Sequence, residues 1–565
     1  MIRLSGADIA VQLLERQGVD IIAGIPGGAI LPIYDAMYRR NKISHILTRN
    51  EQGAGFIAQG IARTGNKPGV CMATSGPGAT NLLTAIADAK LDSVPIICIT
   101  GQVSSDLIGK DSFQEVDICA MSRTVTKQSY FVNSAEDLLK IIPDAFRLAL
   151  SGKPGPVLID IPKDVQTSVI EFEKWPAPGA ADPAPCEDIS KIEQAAEMIN
   201  RAERPVIYAG GGAARSGACM DILRISQKAD IPGTMSLMGL GIFPDTYQLS
   251  LGMLGMHGTP WANIAMEECD LLIAIGVRFD DRATGKVSQF CPDADIIHID
   301  IDPSEFNKIK KTTIAICGDA AGVTEMLEPM IRAVERKEWI SRISSLKDKY
   351  SSSASCRTQN YSPSEYISSI AARLDDNALI VTDVGQHQMW VAQGFPFTKP
   401  NRFITSGGLG TMGFGIPAAM GAALAAPDRQ VVCFTGDGSI MMNIQELATI
   451  AEEGINIKII LFNNNALGLV CQQQDLFFGK RFYSSRYSHS PDFTGIARAF
   501  GIDSCDLSQC SDPIVTLGKI LDKKGTCLIN IPVDKEERVF PMVPPGASNS
   551  EMIRKEEYDC RLIAA

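Results

Sequence analysis

The sequence predicts an α/β protein made of three doubly wound domains. Short apolar runs typical of buried strands alternate with helical patterns, and many lead into a glycine turn, as Ile21–Gly24 does before Gly27-Gly28. This pattern occurs in three stretches. The first and third end on similar runs, Leu158–Pro162 and Leu528–Pro532. We therefore expect two similar domains flanking a different middle domain.

Composition shifts give the expected limits of these domains. The first covers 1–165, the middle one 190–335 and the third 363–545, and a tail, 546–565, is predicted to form an exposed polar cap. A linker rich in Pro and Ala joins the first two domains, and a polar stretch with three consecutive serines joins the last two. We interpret both as connections between domains.

Length and composition bound the function. At 565 residues the chain is long enough for about three domains, and 45% apolar with 21% charged residues is ordinary for a globular protein. A net charge of −12 argues against nucleic acid or an anionic membrane as partner. No apolar run approaches a membrane span, and the N-terminus reads as a helix of the mature fold. Fifteen scattered cysteines favour reduced thiols and a cytoplasmic location.

The stretch 431–475 carries the first chemical signal. A strand, Val431–Phe434, runs into Gly436-Asp437-Gly438 and a helix, and the next strand ends at Asn464. Parallel strands place this carboxylate and this amide at one edge of a sheet, where ligands bind. Their oxygens suit Mg²⁺, and the helix start suits phosphate. The alternative for Asp437 is a simple helix N-cap in a tight turn.

This spacing resembles the thiamine diphosphate fingerprint, Gly-Asp-Gly followed about two dozen residues later by Asn-Asn. The resemblance assigns Mg²⁺ to Asp437, Asn464 and the backbone carbonyl of Ala466, and the diphosphate to Gly436, Gly438 and Ser439. A second element is Glu51, which follows a strand and opens a helix. Alone it would be a first-turn Glu favoured by the helix dipole.

Enzymes with this cofactor need a carboxylate on N1′ of its aminopyrimidine for proton transfer. The stretch Arg49-Asn50-Glu51-Gln52-Gly53-Ala54 resembles the motif around that glutamate in acetohydroxyacid (acetolactate) synthases. The likeness extends along essentially the whole chain and is greatest to bacterial biosynthetic large subunits. It includes Ser75-Gly76-Pro77-Gly78-Ala79-Thr80-Asn81, Phe113-Gln114-Glu115, Met253-Leu254-Gly255-Met256-His257-Gly258, Arg278-Phe279-Asp280-Asp281-Arg282 and Val384-Gly385-Gln386-His387-Gln388-Met389-Trp390.

The resemblance implies further roles. Residues lining the cofactor would be Gly385, Gln386, His387, Gly410 and Met412, with Met412 the apolar wedge that bends it. A core Met is the commoner fate of that residue type. Gly28 would offer an N–H to a developing oxyanion. Phe113, Gln114, Lys127, Met256 and Arg282 would shape the substrate channel. Arg282 is the candidate for the second substrate's carboxylate, and its alternative is a surface pair with Asp280 or Asp281.

FAD with a structural role is also implied, in the middle domain. The matched positions are Gly210, Gly211, Gly212, Met256, His257, Gly258, Arg278, Asp300, Asp302 and Asp319. Two residues depart from the family pattern. Lys153 stands where an FAD-contacting Arg is usual. A Lys keeps the positive charge but lacks the planar guanidinium that donates two parallel hydrogen bonds. Gln473 stands where a Trp favours 2-ketobutyrate, and losing that contact costs about 0.8 kcal/mol per methylene.

The implied activity is acetolactate synthesis. Pyruvate is decarboxylated, and its hydroxyethyl unit joins a second pyruvate or 2-ketobutyrate in the first common step toward branched-chain amino acids. The active unit would be a homodimer or homotetramer, because one subunit's Glu51 meets another's diphosphate site. A separate small regulatory subunit is expected, since no regulatory domain follows. The alternative functions are those of pyruvate oxidase and of glyoxylate carboligase, and the presence of Glu51 argues against the second. A non-catalytic homologue is a third alternative.

Overall fold

The computed structural model describes residues 1–65, 67–185, 188–351 and 361–564, with side chains to residue 560. It confirms the predicted α/β class, because three parallel sheets of six strands each carry the described chain, with helices between successive strands. A short antiparallel ribbon adds the only other sheet in that part of the chain.

The first sheet and its ribbon belong to residues 2–172. In chain order the elements are β1 (Ile2–Ser5), α1 (Gly6–Arg16), β2 (Ile21–Gly24), α2 (Leu31–Arg40), β3 (Ser44–Leu47), α3 (Glu51–Thr64), β4 (Gly69–Ala73), α4 (Pro77–Asn81), α5 (Leu83–Leu91), β5 (Ile96–Gln102), α6 (Ile118–Ser122), β6 (Gln128–Phe131), α7 (Leu138–Leu150), β7 (Val157–Pro162), α8 (Lys163–Thr167) and β8 (Val169–Phe172).

The middle sheet follows an extended connection. Its elements are α9 (Ile189–Arg201), β9 (Pro205–Ala209), α10 (Gly211–Ser216), α11 (Cys219–Lys228), β10 (Gly233–Met235), β11 (Ser250–Met253), α12 (Pro260–Glu268), β12 (Leu271–Ile275), α13 (Asp281–Thr284), β13 (Asp295–Asp300), β14 (Ile314–Cys317), α14 (Ala320–Leu327) and α15 (Lys337–Tyr350).

The third sheet completes the described chain. Its elements are α16 (Pro363–Ala371), β15 (Leu379–Thr382), α17 (Gln386–Gly394), β16 (Phe403–Ile404), α18 (Gly415–Ala425), β17 (Val431–Gly436), α19 (Asp437–Ile440), α20 (Glu446–Glu453), β18 (Lys458–Asn463), α21 (Gly468–Phe477), α22 (Phe493–Ala499), β19 (Asp503–Asp506), α23 (Pro513–Leu521), β20 (Cys527–Pro532) and α24 (Lys555–Ala564).

Strand order separates the middle sheet from the other two. The first sheet runs β3-β2-β4-β5-β7-β6 and the third β16-β15-β17-β18-β20-β19, which is one and the same order when each is counted from its own first strand. This agreement supports the predicted duplication. The middle sheet runs β11-β10-β9-β12-β13-β14, the order found in dinucleotide-binding folds. Its strands are parallel, and the order in which the chain adds them to the sheet reverses between β9 and β12.

Helices α3 and α18 join the first and third domains. Gly60 faces the backbone of Ala418 and Gly421 faces the backbone of Ile57, so closely that a β-carbon on either glycine would overlap a carbonyl oxygen. Phe56 and Phe414 then meet edge to face at 5.3 Å, inside an apolar cluster shared by both domains. This contact fixes the ligand-binding edges of the two sheets relative to each other.

Two expectations about the connections are wrong. The polar stretch after residue 335 contains α15, because Trp339, Ile343 and Leu346 form an apolar stripe that packs on the middle domain; residues 352–360 lie outside the described ranges. The tail is not simply an exposed cap. Met552 is buried, and the buried amide of Asn549 donates to the carbonyl of Ala283 at 2.8 Å.

No described helix has the length and apolar content needed to cross a membrane. Every cysteine within the described ranges is a free thiol.

Candidate active site

The edge formed by the carboxyl ends of β17 and β18 brings Asp437 and Asn464 together. Oδ2 of Asp437 and Oδ1 of Asn464 each accept from the N–H of Ala466, both at 3.1 Å. Asp437 is buried, which raises its pKa to about 6. One carboxylate, one amide oxygen and a nearby carbonyl suit Mg²⁺. No cluster of three or more His, Cys, Asp or Glu side chains able to hold a metal occurs among the described residues.

Beside this pair, the start of α17 presents Gln386 and His387. Oε1 of Gln386 accepts from the amide of Asn464 at 3.1 Å, and its Nε2 donates to the carbonyl of Glu537 at 2.9 Å. The imidazole of His387 lies against Gly385 and Gly436. Its Nε2 is buried without a hydrogen-bond partner, and burial lowers the pKa of His387 to about 3. A buried neutral imidazole with a free nitrogen is suited to a ligand placed at this edge.

The glycine-rich stretch before α18 passes the same edge. The methyl of Met412 lies 3.5 Å from the point where a β-carbon on Gly438 would stand, so Met412 borders the Gly-Asp-Gly turn. Ser439 Oγ, in that turn, donates to the carbonyl of Val384 at 2.7 Å. Gly410 has a φ of +69°, a backbone conformation that favours glycine. The predicted cofactor residues of the third domain are therefore neighbours.

A buried carboxylate that sequence reasoning missed fixes this stretch. Asp383 follows β15 directly, and its side chain accepts from the N–H groups of Val384, Gly413 and Gly415 at 2.8, 2.8 and 3.0 Å. Burial raises the pKa of Asp383 to about 6. Its position immediately after an apolar strand was the available signal, the same one that pointed to Asp437.

The corresponding edge of the first sheet holds Glu51, the first residue of α3. Oε2 of Glu51 accepts from the amide of Asn81 at 2.9 Å, and Gly78 lies beside its other oxygen. Gln114 packs on Gly76 in the same turn and has a φ of +60°.

Two predicted residues on the first domain are open to solvent. Gly28 follows β2 with nothing within 4 Å of its would-be β-carbon, and the side chain of Phe113 is 87% exposed.

Glu446, from the third domain, determines how α3 begins. Its Oε1 accepts from the N–H groups of Arg49 and Asn50 at 3.0 and 3.1 Å, and its Oε2 accepts from Thr449 at 2.8 Å. The Glu446 side chain is fully buried. Sequence reasoning had no means of finding this contact, because nearly 400 residues separate the partners. Glu446 thus holds the backbone immediately ahead of Glu51.

The two lysines assigned from the resemblance make other contacts. Nζ of Lys127 donates to the carbonyls of Ser151 and Lys153 at 2.6 and 2.8 Å, and burial lowers its pKa to about 8. Nζ of Lys153 lies 2.7 Å from Glu305 and 3.3 Å from Asp302, so it joins the first domain to the middle one. Neither ammonium hydrogen-bonds to Glu51 in the described chain.

In the middle domain the triple glycine lies at the point where the strand order reverses, between β9 and β12. Gly212, after β9, stands so close to Gly276, after β12, that a β-carbon on it would lie 2.7 Å from Cα of Gly276. A β-carbon on Gly210 would likewise meet the carbonyl oxygen of Gly276, so packing between the two loops is one reason for Gly210 and Gly212, while Gly211 faces Met238. Arg278 is half-buried beside Gly408 and has no hydrogen bond or ion pair within the described residues. An unpaired guanidinium at this position is suited to a phosphate.

The other assigned residues of the middle domain lie at or after the carboxyl ends of β11, β13 and β14. Asp300 is the last residue of β13 and Asp302 lies two residues past it. Burial raises the pKa of Asp300 to about 6, and Asp319 immediately precedes α14. Met256 donates its N–H to the carbonyl of Arg282 at 2.8 Å. His257, next to Gly258, is buried with Nδ1 2.9 Å from the carbonyl of Pro541, and burial lowers its pKa to about 4.

Both residues assigned to substrate choice are on the surface of the single chain. The Arg282 side chain is 66% exposed and lies 3.5 Å from Asp281, which is the surface pair left open as its alternative. Gln473 is exposed on α21 and lines a groove of about 350 Å³ with Val470, Gln474, Phe478, Arg481 and Tyr483.

Comparison with known proteins agrees with the three-domain fold. Three thiamine pyrophosphate enzyme descriptions match the chain: the N-terminal TPP binding domain at residues 4–121, the central domain at 192–327 and the C-terminal TPP binding domain at 383–531. The fold and the site thus define a thiamine diphosphate enzyme.

Individual relatives narrow this class. The acetolactate synthase isozyme 1 large subunit of Escherichia coli is 53% identical over 551 residues, 98% of each chain. The isozyme 2 large subunit of the same organism is 45% identical over 98% of this chain and all of the other. The chloroplastic acetolactate synthase of Arabidopsis thaliana is 43% identical over 97% of this chain and 84% of its own length. The chain belongs to the acetolactate synthase large-subunit family.

Proposed function

We propose that the chain decarboxylates pyruvate with thiamine diphosphate and joins the two-carbon unit to a second 2-keto acid. Pyruvate as acceptor gives 2-acetolactate, and 2-ketobutyrate gives 2-aceto-2-hydroxybutyrate, the first common step toward branched-chain amino acids. The observation that carries this proposal is the cluster of Asp437, Asn464, His387 and Met412 on one sheet edge. Glu51 lies on the matching edge of a sheet with the same strand order.

The residues of the third domain fit the cofactor and its metal. Asp437, Asn464 and the carbonyl of Ala466 would supply the oxygen donors for Mg²⁺, and the backbone at the start of α19, at Gly438 and Ser439, is proposed to contact the diphosphate. The unpartnered Nε2 of His387 would gain a partner. The cofactor, when bound, is the electron sink that makes decarboxylation of a 2-keto acid accessible.

Glu51 is the residue proposed to hold and move the proton. Its carboxylate would hydrogen-bond N1′ of the aminopyrimidine, and Asn81 orients it from the side. Gly28 and Gln114, on the same edge of the first sheet, are proposed to face the reacting carbonyl, with Gly28 donating its N–H to a developing oxyanion. Phe113 and Arg282 would bind the substrates, and Gln473 would grade the second of them. Lys127 is proposed to act indirectly, by ordering the 151–153 loop through its two carbonyls.

A complete site would need two copies of the chain. The hydrogen-bond partner of the Glu51 carboxylate is Asn81 of its own domain, and no hydrogen bond between described residues joins Glu51 to Asp437. This arrangement favours a cofactor held between the first domain of one chain and the third domain of another. A homodimer is then the minimal unit, with a homotetramer as the alternative. The large-subunit names of the relatives support a small regulatory subunit as an additional partner.

FAD is proposed for the middle domain. Support comes from its strand order, from the reversal at Gly210–Gly212, and from the unpaired guanidinium of Arg278. Lys153 would not be a strong FAD contact, because Glu305 and Asp302 already pair with it. Arg278→Ala should lose bound flavin, measured by visible absorbance after gel filtration. Arg282→Ala, which changes an exposed Arg four residues on, should retain it. Equal flavin retention in the two variants would contradict the assignment of Arg278.

The activity is tested with the purified full chain, pyruvate, Mg²⁺ and thiamine diphosphate, with and without FAD and oxygen. We expect a product that acid converts to acetoin, at a rate independent of oxygen and lost in Glu51→Gln. Oxygen uptake that matches pyruvate consumption would indicate an oxidase. Absence of the acetoin-forming product from the unmodified chain would indicate a non-catalytic homologue.

A further inference from the structure

Side chains of the first domain hydrogen-bond to the stretch of the third domain that includes Met412. We call residues 406–412 the cofactor loop. Asp88 Oδ2, on α5, accepts from Thr411 Oγ1 at 2.8 Å and also from Ser406 Oγ, which itself accepts from the N–H of Thr411 at 2.8 Å. Asp92, just past α5, accepts from the N–H groups of Gly408 and Gly407 at 2.7 and 3.0 Å. Both ends of the cofactor loop are therefore bonded to another domain.

These two carboxylates are themselves immobilised. Nη2 of Arg63 lies 2.7 Å from Asp92 and 3.6 Å from Asp88, and it donates to Gln59 at 2.9 Å. The side chains of Asp88, Asp92 and Arg63 are 0, 1 and 5% exposed. Burial and the neighbouring Asp92 raise the pKa of Asp88. With no water to compete for these hydrogen bonds, the carboxylates cannot turn away without leaving buried polar groups unpaired.

The third domain also holds the chain on both sides of the loop, since Nε2 of Gln388 donates to the carbonyl of Ser406 at 3.3 Å. Asp383 holds Gly413 and Gly415, immediately after Met412. Leu409, which is 42% exposed, and Gly410, with its positive φ, lie between the residues bonded to Asp92 and the second residue bonded to Asp88. The path from Ser406 to Met412 is therefore set by Asp88 and Asp92 on one side and by Asp383 on the other. The position of Met412 next to Gly438 depends on both.

We propose that Asp88 and Asp92 are positioning residues for thiamine diphosphate binding, acting through the cofactor loop of their own chain. The inference rests on the proposed role of Gly410 and Met412 as cofactor contacts. It gives the first domain two tasks: Glu51 serves the cofactor of a partner chain, while α5 shapes the pocket of its own third domain. Loosening α5 should therefore weaken cofactor binding without touching a residue that meets the cofactor.

The test compares Asp88→Ala with Asp88→Asn, which keeps an oxygen acceptor for the loop hydroxyls. Asp160→Ala is the matched control, since Asp160 is a buried carboxylate that accepts from Thr100 and Gln102 at 2.7 and 3.0 Å and makes no bond to the loop. Ser406→Ala approaches the same contact from the loop side if Asp88→Ala does not fold. The readouts are the Kd and KM of thiamine diphosphate, kcat at saturating cofactor, and amide hydrogen exchange of the 406–412 peptide without cofactor.

We expect Asp88→Ala to raise the Kd of thiamine diphosphate about tenfold, as loss of a charged hydrogen bond implies, with faster exchange in the loop. Asp88→Asn should recover most of this affinity, and Asp160→Ala should leave both readouts unchanged. In combination with Met412→Ala, the effect of Asp88→Ala should be less than additive. Unchanged loop exchange and Kd in Asp88→Ala, or equal changes in Asp160→Ala, would overturn the proposal. Failure of the unmodified chain to bind thiamine diphosphate would instead overturn the proposed function.

Discussion

Asp437 and Asn464 share one hydrogen-bond donor, the N–H of Ala466, which lies 3.1 Å from an oxygen of each. The shared donor sets the two oxygens side by side at the ends of adjacent parallel strands, β17 and β18. A divalent cation bound there would take the place of the N–H of Ala466 as the common partner of the two oxygens.

Removing either oxygen should therefore weaken metal-dependent cofactor binding. Asp437→Ala or Asn464→Ala should weaken the apparent Mg²⁺ affinity by more than the ~10–100-fold typical of an outer metal partner. Titration of Mg²⁺ at fixed thiamine diphosphate measures it. Asn463→Ala is the control, because that amide lies 3.2 Å from Asn530 and does not contact Asp437. A normal Mg²⁺ titration in Asn464→Ala would contradict the assignment.

Glu446 should matter for both stability and turnover. Glu446→Ala removes the acceptor of the partly buried hydrogen bonds from the N–H groups of Arg49 and Asn50, at about 0.5–1.5 kcal/mol each. Because these groups precede Glu51, kcat should fall more than the KM of pyruvate rises, and Glu446→Gln should recover part of kcat. Steady-state kinetics and urea unfolding measure the two effects.

An exposed pair on the same Arg serves as the comparison for Glu446. Glu452, 53% exposed, pairs with Arg49 at 2.5 Å, so Glu452→Ala should cost only about 0–1 kcal/mol and leave kcat unchanged. Equal losses in Glu446→Ala and Glu452→Ala would show that the buried contact has no special role.

Gln473→Trp should shift the choice of second substrate. A Trp on the exposed face of α21 would add apolar contact for the extra methylene of 2-ketobutyrate, about 0.8 kcal/mol or roughly fourfold in the product ratio. Competition between pyruvate and 2-ketobutyrate measures the ratio. Val470→Trp adds the same ring one turn earlier in the same groove and should leave the ratio closer to that of the unmodified chain. An unchanged ratio in Gln473→Trp would refute the role given to this position.

The buried carboxyl group of Asp160 should make the free energy of unfolding depend on pH. Burial raises its pKa from 3.8 to about 7, so the folded chain keeps this proton to higher pH than the unfolded chain does. Stability from this group is therefore greatest below pH ~4 and is lost as the pH rises toward 7. Asp160→Asn should flatten the fall of the urea midpoint between pH 5 and 8. Asp35→Asn, at a 67% exposed carboxylate, should leave the slope as it is. An unchanged slope in Asp160→Asn would contradict this reasoning.

The local sequence pattern was sufficient to predict the site residues that come directly after a strand. An apolar run ending in a polar residue placed Asp437 and Asn464 on one edge, because parallel strands share the direction of their carboxyl ends. Glu51 was expected to open a helix and does so. The helix α15 was missed because its charged surface hides a narrow stripe of three apolar residues in a segment with few other signals. Arg282 could not be decided from sequence, since both a substrate carboxylate and Asp281 suit a guanidinium.

The sequence by itself determined the α/β class, the duplicated domains, the family and the residues at the strand ends, because these depend on short-range periodicity and on turns of a few residues. Only the tertiary structure decided which distant groups support them. Asp88, Asp92 and Glu446 act across domain boundaries, over separations of 315 to 397 residues. Their positions follow from the close packing of α3 on α18, and such contacts between remote segments leave no periodic trace in either one.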